Sequence, residues 1–193
     1  AEHLLLPDFD AFARTQRHAT RALRAMQAGH PYLFGALAAG HVEDSSTRIL
    51  QEWMEAFFAF PAGSLNLTTL PVDGVRIPPE PAALRWPVLY HSGSLDDIKT
   101  AGMFDFGSEP YDAPPIQHTL STGSLASHRI PGPLEAVLGP MQDIFHVAPH
   151  CAVEAPPVVS CVADPYNSSR VLGLVDVLFD PGVLLDTVLP NEP

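Results

Sequence analysis

The stretch VLYHSGSLDDIKTAGM, residues 88–103, decides the fold of the second half of the chain. It begins with the apolar and aromatic residues of a buried strand. It ends in a short helical pattern before Gly102, a residue type that commonly follows a helix. His91 and the small hydroxyl residues Ser92 and Ser94 stand at the junction. The pattern predicts a strand, a turn and a short helix. His91 either binds a ligand or has a structural role in the turn.

Five further runs after residue 62 share the character of this first strand. They are short, rich in β-branched and aromatic residues, and bordered by Pro, Gly, Asn or Asp, so we predict that they are strands. The runs are SLNLTTL (64–70), IQHTLST (116–122), DIFHVA (143–148), PPVVSCVA (156–163) and GLVDVLF (173–179). The proline-rich segment 72–87 is predicted to be an irregular connection, because proline interrupts a strand ladder.

The first 60 residues show helical spacing instead. Apolar side chains at this spacing predict a helix over 9–28, with Asp8 as its N-cap and Gly29 as its end. The run PYLFGALAAG (31–40) predicts a second, shorter helix. The run DSSTRILQEWMEAFFAF (44–60) predicts a third.

The end of the third helix marks a change of composition. Asp44 or Ser45 can cap this helix, and Pro61 terminates it. We therefore predict a helical region over 1–61 and a mainly β region over 62–193, joined in one compact unit. The predicted fold class is α+β, with N-terminal helices packed on a mainly antiparallel sheet or small sandwich.

Length and charge limit the classes of function. The chain has 193 residues, 46% of them hydrophobic, which suffices for one well-buried domain. Its net charge of −12 argues against coating of nucleic acid or of an anionic membrane, so an anionic ligand needs a local exception. No apolar run approaches the roughly 18–20 residues that span a bilayer, and no signal peptide is recognisable. We expect no membrane insertion and a soluble protein, cytoplasmic or secreted as an effector, with the compartment left open.

The two cysteines leave two alternatives open. Cys151 and Cys161 can form one disulfide, but their pairing does not follow from the sequence. Together with His146 and His150 they supply atoms that bind zinc. Their spacing differs from that of a structural zinc finger, so we predict no metal site.

Three stretches, taken in order, resemble the ADP-ribosyltransferase fold. The first is residues 88–103. The second is HTLSTGSLASHR (118–129), in which LSTGSLAS is similar to the strand and turn that carry a Ser-Thr-Ser motif. The third is GLVDVLFDPGVLLDTVL (173–189), which is similar to the closing hairpin that carries a catalytic acid before an apolar pair and a Pro-Gly turn. The resemblance covers about residues 86–189, and members of this family bind NAD in a cleft between two small sheets.

The resemblance implies where NAD is held. His91, at the end of the first strand, matches the residue that binds the dinucleotide, and Ser92 and Gly93 follow it in the turn. Ser121 and Thr122 match the hydroxyl residues that support the ribose or the catalytic acid. NAD is therefore expected as a substrate.

The resemblance also implies the chemistry. Cleavage of the bond between nicotinamide and ribose passes through an oxocarbenium-like transition state, which a nearby carboxylate stabilises. Asp176 matches this carboxylate, and Ser121 is its catalytic partner. The expected function is that of an NAD-dependent mono-ADP-ribosyltransferase or NAD glycohydrolase of toxin or effector type, with a protein or other macromolecule as acceptor.

Three positions depart from the family pattern. Gly123 stands where the third motif residue is Ser, Asp176 where the arginine-directed branch has Glu, and Leu174 where Glu or Gln orients the acceptor. Asp is one methylene shorter than Glu, and a misplacement of about 1 Å can cost on the order of a hundredfold in rate. A catalytically inactive relative that acts as a protein-binding or structural module is the alternative.

Overall fold

The computed structural model describes residues 8–30, 32–69, 75–129, 142–147, 152–153, 159–160 and 173–188. Both helices and strands occur in these ranges, and the strands of each sheet run antiparallel. This arrangement confirms the α+β class.

The described part of the chain contains five α-helices. They are α1 (Phe9–Ala28), α2 (Thr47–Phe58), α3 (Leu95–Ala101), α4 (Ala113–Thr122) and α5 (Pro181–Val188). Short 3-10 turns at Asp44–Ser46 and Phe106–Ser108 connect some of the elements.

The strands form one larger sheet and two small pairs. The strands are β1 (Leu33–Gly40), β2 (Val42–Glu43), β3 (Leu84–Arg85), β4 (Val88–His91), β5 (Ala126–Arg129), β6 (Gln142–Val147), β7 (Ala152–Val153), β8 (Val159–Ser160) and β9 (Gly173–Phe179). The larger sheet has the order β4-β1-β9-β6-β5, while β2 pairs with β3 and β7 pairs with β8.

Strand β1 corrects the prediction of a helix over 31–40. It lies between β4 and β9 in the larger sheet, so residues 1–61 are not wholly helical. A strand covered on both faces carries apolar residues at every position and shows no alternation, and its run then looks like a short buried helix. Ala36 and Leu37, on opposite faces of β1, are both buried.

The first and third predicted helices are confirmed. Helix α1 has the predicted ends: the N–H of Ala11 donates to the Asp8 carboxylate at 2.7 Å, and Gly29 is the C-cap. Helix α2 occupies most of the predicted third helix, but its cap differs. Asp44 lies in the preceding 3-10 turn, and the N-cap Ser46 makes no side-chain capping bond.

Residues 116–122 lie in helix α4, which corrects the strand predicted there. Pro114 and Pro115 lie in the first turn of α4, where backbone N–H groups have no intrahelical partner and proline costs little. Ile116 and Leu120 are four residues apart and pack on one apolar cluster of the sheet. The helical spacing of these two residues therefore outweighs the β-branched content of the run.

The remaining strand predictions have mixed outcomes. Within 64–70 the described residues make only isolated bridges at Thr68 and Thr69, so no strand forms there. The predicted strand 156–163 contains β8, and its other residues lie outside the described ranges. The strands predicted from the runs at 87–91, 143–148 and 173–179 are confirmed as β4, β6 and β9. The expectation of a closing hairpin after residue 173 is wrong, because helix α5 follows β9 directly.

The larger sheet is covered on both faces. Helices α1, α2 and α3 cover one face with a cluster that includes Phe12, Leu23, Leu50, Met54, Leu89, Tyr90 and Ile98. The other face carries a cluster that includes Leu37, Ala39, Trp86, Val88, Phe104, Phe106, Ile116 and Leu174. The candidate site residues His91 and Asp176 belong to this second face, because both pair with Leu37.

Candidate functional site

The ring of His91 is held by the turn that follows β4. The N–H of Gly93 donates to Nδ1 of His91 at 2.8 Å, so Nδ1 is the acceptor and we infer that a neutral ring carries its proton on Nε2. Burial lowers the pKa of His91, the Asp97 carboxylate opposes this shift, and Arg24 adds to it. The net shift is downward, so His91 presents a neutral N–H donor near pH 7.

Ser92 extends the pairing between β4 and β1. Its N–H donates to the carbonyl of Ala36 at 2.9 Å, and its hydroxyl oxygen accepts from the N–H of Ala36 at 3.0 Å. Ser92 is 5% exposed. Its side chain is therefore part of the sheet edge, and a contact from Ser92 to a ligand would have to replace this bond.

Gly93 has no room for a side chain. A Cβ atom there would lie 2.5 Å from Oδ2 of Asp97 and 2.8 Å from Cε1 of His91. Arg24 of α1 fixes the same turn from outside, donating to the carbonyls of Ser92 and Gly93 at 3.1 and 3.2 Å. The turn is thus a close-packed structure that holds His91 in one orientation.

Helix α3 begins in a capping box next to His91. The N–H of Ser94 donates to Asp97 at 2.8 Å, and the N–H of Asp97 donates to the Ser94 hydroxyl at 3.2 Å. The hydrogen bonds from Ser94 lower the pKa of Asp97. An ionised carboxylate therefore stays beside the His91 ring.

His91 and Asp176 lie in one row across the sheet. Leu37 of β1 pairs with His91 on one side and with Asp176 on the other. Directly opposite residues of antiparallel strands share a face, so both side chains lie on the face that Leu37 occupies. Two strand spacings separate their Cα atoms, which is about 10 Å. The structure therefore brings these two predicted residues to one face.

Asp176 is buried and has apolar neighbours on its own strand. Asp176 is 2% exposed, and Leu174 and Leu178, two residues away on either side, belong to or pack on the same apolar cluster. Leu174 is fully buried within this cluster. The carboxylate of Asp176 thus lies inside the fold, in surroundings where a charge acts strongly on its neighbours.

The hydroxyl residues of the second motif are exposed on the last turn of α4. Ser121 and Thr122 both donate to the carbonyl of His118, at 3.0 and 2.9 Å, and the N–H of Ser124 donates to Thr122 at 3.1 Å. Gly123 follows with φ of 71°, a left-handed C-cap that favours glycine over serine. Ser121 and Thr122 are therefore outside the His91–Asp176 row, on a different element.

Sequence reasoning missed a buried ionic cluster around Arg85. Its guanidinium donates to Asp44 at 2.6 Å, to Asp105 at 3.1 Å and to the Ser108 hydroxyl at 3.0 Å. Burial lowers the pKa of Arg85, but hydrogen bonds to Asp44 and Asp105 outweigh this effect and raise it. The signal in the sequence was an arginine at the start of the apolar run LRWPVLY, a position that a charge occupies only with partners.

The sequence predicts neither a metal site nor a membrane-spanning helix. In the ranges that the structure describes, no group of three or more His, Cys, Asp or Glu residues could hold a metal ion. His150, Cys151 and Cys161 lie outside those ranges, so the predictions about them stay predictions. Among the described helices, none is both long and apolar enough to cross a bilayer.

No protein-family model matches the chain, and no curated protein sequence matches it significantly.

Proposed function

We propose that the chain is an NAD-consuming domain of ADP-ribosyltransferase type, with His91 and Asp176 as the residues that act on NAD. The observation that supports this is the shared row: both side chains lie on one face of the sheet, each paired with Leu37. Within this row, the side chain of His91 is half-buried and that of Asp176 is buried. NAD is the substrate, and a protein or other macromolecule is the acceptor.

His91 is suited to bind NAD rather than to react with it. Its Nδ1 is occupied by the N–H of Gly93, and its lowered pKa keeps the ring neutral. The remaining Nε2–H is one fixed donor, which can bind a ribose hydroxyl or a phosphate oxygen. The rigid turn of residues 91–94 supplies the orientation that such a contact needs.

Asp176 supplies the electrostatic part of the reaction. When the bond between ribose C1′ and the nicotinamide nitrogen breaks, the electron pair leaves with nicotinamide and C1′ becomes cationic. A buried carboxylate stabilises that charge more strongly than one in water. Water or an acceptor side chain then forms the new bond to C1′ and releases its proton to solvent or to Asp176.

A second candidate function is a non-catalytic module that binds a protein partner. It is favoured by a different observation, namely that the hydroxyls of Ser92, Ser121 and Thr122 are all used within the fold. Asp176 is 2% exposed, and Gly123 is explained by its backbone angle alone. In this alternative, the motif residues stabilise the sheet and the end of α4.

Nicotinamide release from NAD, with water as acceptor, separates the two candidates. We expect release by the wild type and a loss of at least about a hundredfold in Asp176→Asn, the size of effect typical of one lost transition-state contact. The matched control is Asp186→Asn, an exposed aspartate on α5 that should leave the rate unchanged. Circular dichroism checks that each variant is folded.

Two results would overturn the enzymatic proposal. Equal release by the wild type and by folded Asp176→Asn would remove Asp176 from the reaction. Absence of release together with no shift of Tm by NAD would leave the partner-binding module as the function.

A further inference from the structure

Helix α1 carries an exposed row of arginines. Arg14, Arg17, Arg21 and Arg24 are spaced by three, four and three residues, which puts them along one side of a helix, and all four are exposed. They are four of the ten Lys and Arg residues of the chain, and Asp10 is the one acidic residue within α1. We call these four residues the arginine row.

The arginine row has a fixed outward orientation. The opposite side of α1 is buried against the sheet and α2, through residues that include Phe12, Ala13 and Leu23. Because that apolar side is used in folding, α1 has no free apolar face to insert into a bilayer. The row therefore faces solvent as a purely charged surface.

The charge of α1 contrasts with that of the remaining chain. Four arginines and one aspartate give α1 a charge of +3, counting His18 as neutral. Subtracting these from 10 basic and 22 acidic residues leaves six and 21, a charge of −15 for the rest. The arginine row is thus the local exception in an acidic protein.

No carboxylate of the described chain neutralises the row. The ion pairs there involve Arg48 and Arg85, and none involves Arg14, Arg17 or Arg21. Arg24 donates to the carbonyls of Ser92 and Gly93, which carry no net charge. The positive charge of α1 is therefore available to a partner.

We infer that the arginine row binds a short acidic segment of a partner protein. Ten residues separate Arg14 from Arg24, so the row is about 15 Å long, which equals four to five residues of extended chain. Guanidinium groups pair with carboxylates in bidentate geometry, which gives such a segment defined positions. Arg14, Arg17 and Arg21 take no part in the NAD chemistry proposed above, whereas Arg24 also holds the turn that carries His91.

Charge complementarity favours a short segment over other polyanions. A nucleic acid or an anionic membrane extends well beyond 15 Å and would also meet the remaining chain, whose charge is −15. That contact is repulsive over about one Debye length, roughly 8 Å at physiological ionic strength. An acidic segment of four to five residues gains the attraction of the row without this penalty.

Fluorescence anisotropy with a labelled short oligoglutamate tests the inference. We expect binding that weakens about tenfold in the triple variant Arg14→Gln/Arg17→Gln/Arg21→Gln, since each exposed ion pair contributes modestly. Gln has a helix propensity close to that of Arg, so α1 should stay folded, and circular dichroism checks this. Lys99→Gln, an exposed cation on α3, is the matched control and should bind like the wild type.

Two further binding measurements vary the salt concentration and the length of the polyanion. Raising NaCl from about 0.1 M to about 1 M shortens the Debye length from about 10 Å to about 3 Å and should abolish binding. Equal affinity of wild type and triple variant, or no oligoglutamate binding at about 0.1 M salt, would overturn the inference. So would tighter binding of oligothymidylate that rises with its length, or of phosphatidylserine vesicles, since either would assign the row to an extended polyanion.

Discussion

The guanidinium of Arg85 and the carboxylate of Asp105 lie 3.1 Å apart, and both side chains are almost completely buried. The other oxygen of Asp105 accepts from the N–H groups of Trp86 and Gly107 at 2.9 and 3.2 Å. Asp105 therefore joins the strand leading to His91 to the turn at Phe106–Ser108. The ion pair holds the backbone just before β4, the strand that ends at the candidate site.

Asp105→Asn should destabilise the fold strongly. The amide NH₂ would face the Arg85 guanidinium and the Ser108 hydroxyl, leaving a buried cation with Asp44 as its remaining carboxylate. Breaking a buried pair in this way costs about 3–5 kcal/mol. Denaturant unfolding measures the loss in the free energy of unfolding.

Asp44→Asn is the matched control, because Asp44 also binds Arg85 but has 46% of its side chain exposed. This substitution should cost about 1 kcal/mol or less. Equal losses in the two variants would contradict the prediction.

Glu55 ties the end of α2 to the loop that follows. Its carboxylate accepts from the N–H groups of Gly63 and Leu65 at 3.0 and 2.8 Å. Burial raises the pKa of Glu55, but these hydrogen bonds and one from Gln51 outweigh it and lower the pKa below 4.5. The folded state thus binds the proton less tightly than the unfolded state.

Stability should therefore depend on the ionisation of Glu55. Its contribution is fully present above the unfolded pKa near 4.5 and is lost as pH falls through the lower folded pKa. Glu55→Gln leaves one backbone N–H without an acceptor and should cost about 1–3 kcal/mol at neutral pH. The difference from wild type should shrink below about pH 4.

Denaturant unfolding at a series of pH values tests the Glu55 prediction. Glu52→Gln is the control, because Glu52 is one turn away from Glu55 along the helix but pairs with Arg48 at the surface. Its effect should stay within about 0.5 kcal/mol. A Glu55→Gln loss that is constant down to acidic pH would show that the carboxylate charge is not the cause.

The sequence predicted those elements whose signals are local. Helix α1 has a capping aspartate, a terminal glycine and one apolar side, and its observed ends agree with the prediction. Strand β1 has no such signal, because both of its faces are covered and its side chains are apolar throughout. Helix α4 has a misleading local signal: Pro114 and Pro115 border the run 116–122 as prolines border a strand, but they lie in the first helical turn.

The candidate site depended on the element that was missed. His91 and Asp176 are 85 residues apart, and their shared row exists only because Leu37 of β1 pairs with both. A prediction that makes 31–40 a helix contains no strand between them, so it cannot give the row. The Arg85–Asp105 pair is likewise a contact between distant positions, and periodicity carries no information about it.

The pKa of His91 should lie below 6.5 and should respond in opposite directions to its two charged neighbours. Asp97→Asn removes the carboxylate that raises the pKa of His91, so the pKa should fall further, whereas Arg24→Gln removes a cation that lowers it, so the pKa should rise. NMR titration of the ring measures each value. Because the folded-state pKa is depressed, protonation favours the unfolded chain, and stability should decrease as pH falls from about 6.5 through the folded pKa. A wild-type ring that titrates above 6.5 would mean that the Asp97 carboxylate outweighs burial, which would contradict the downward shift and the neutral ring assigned to His91.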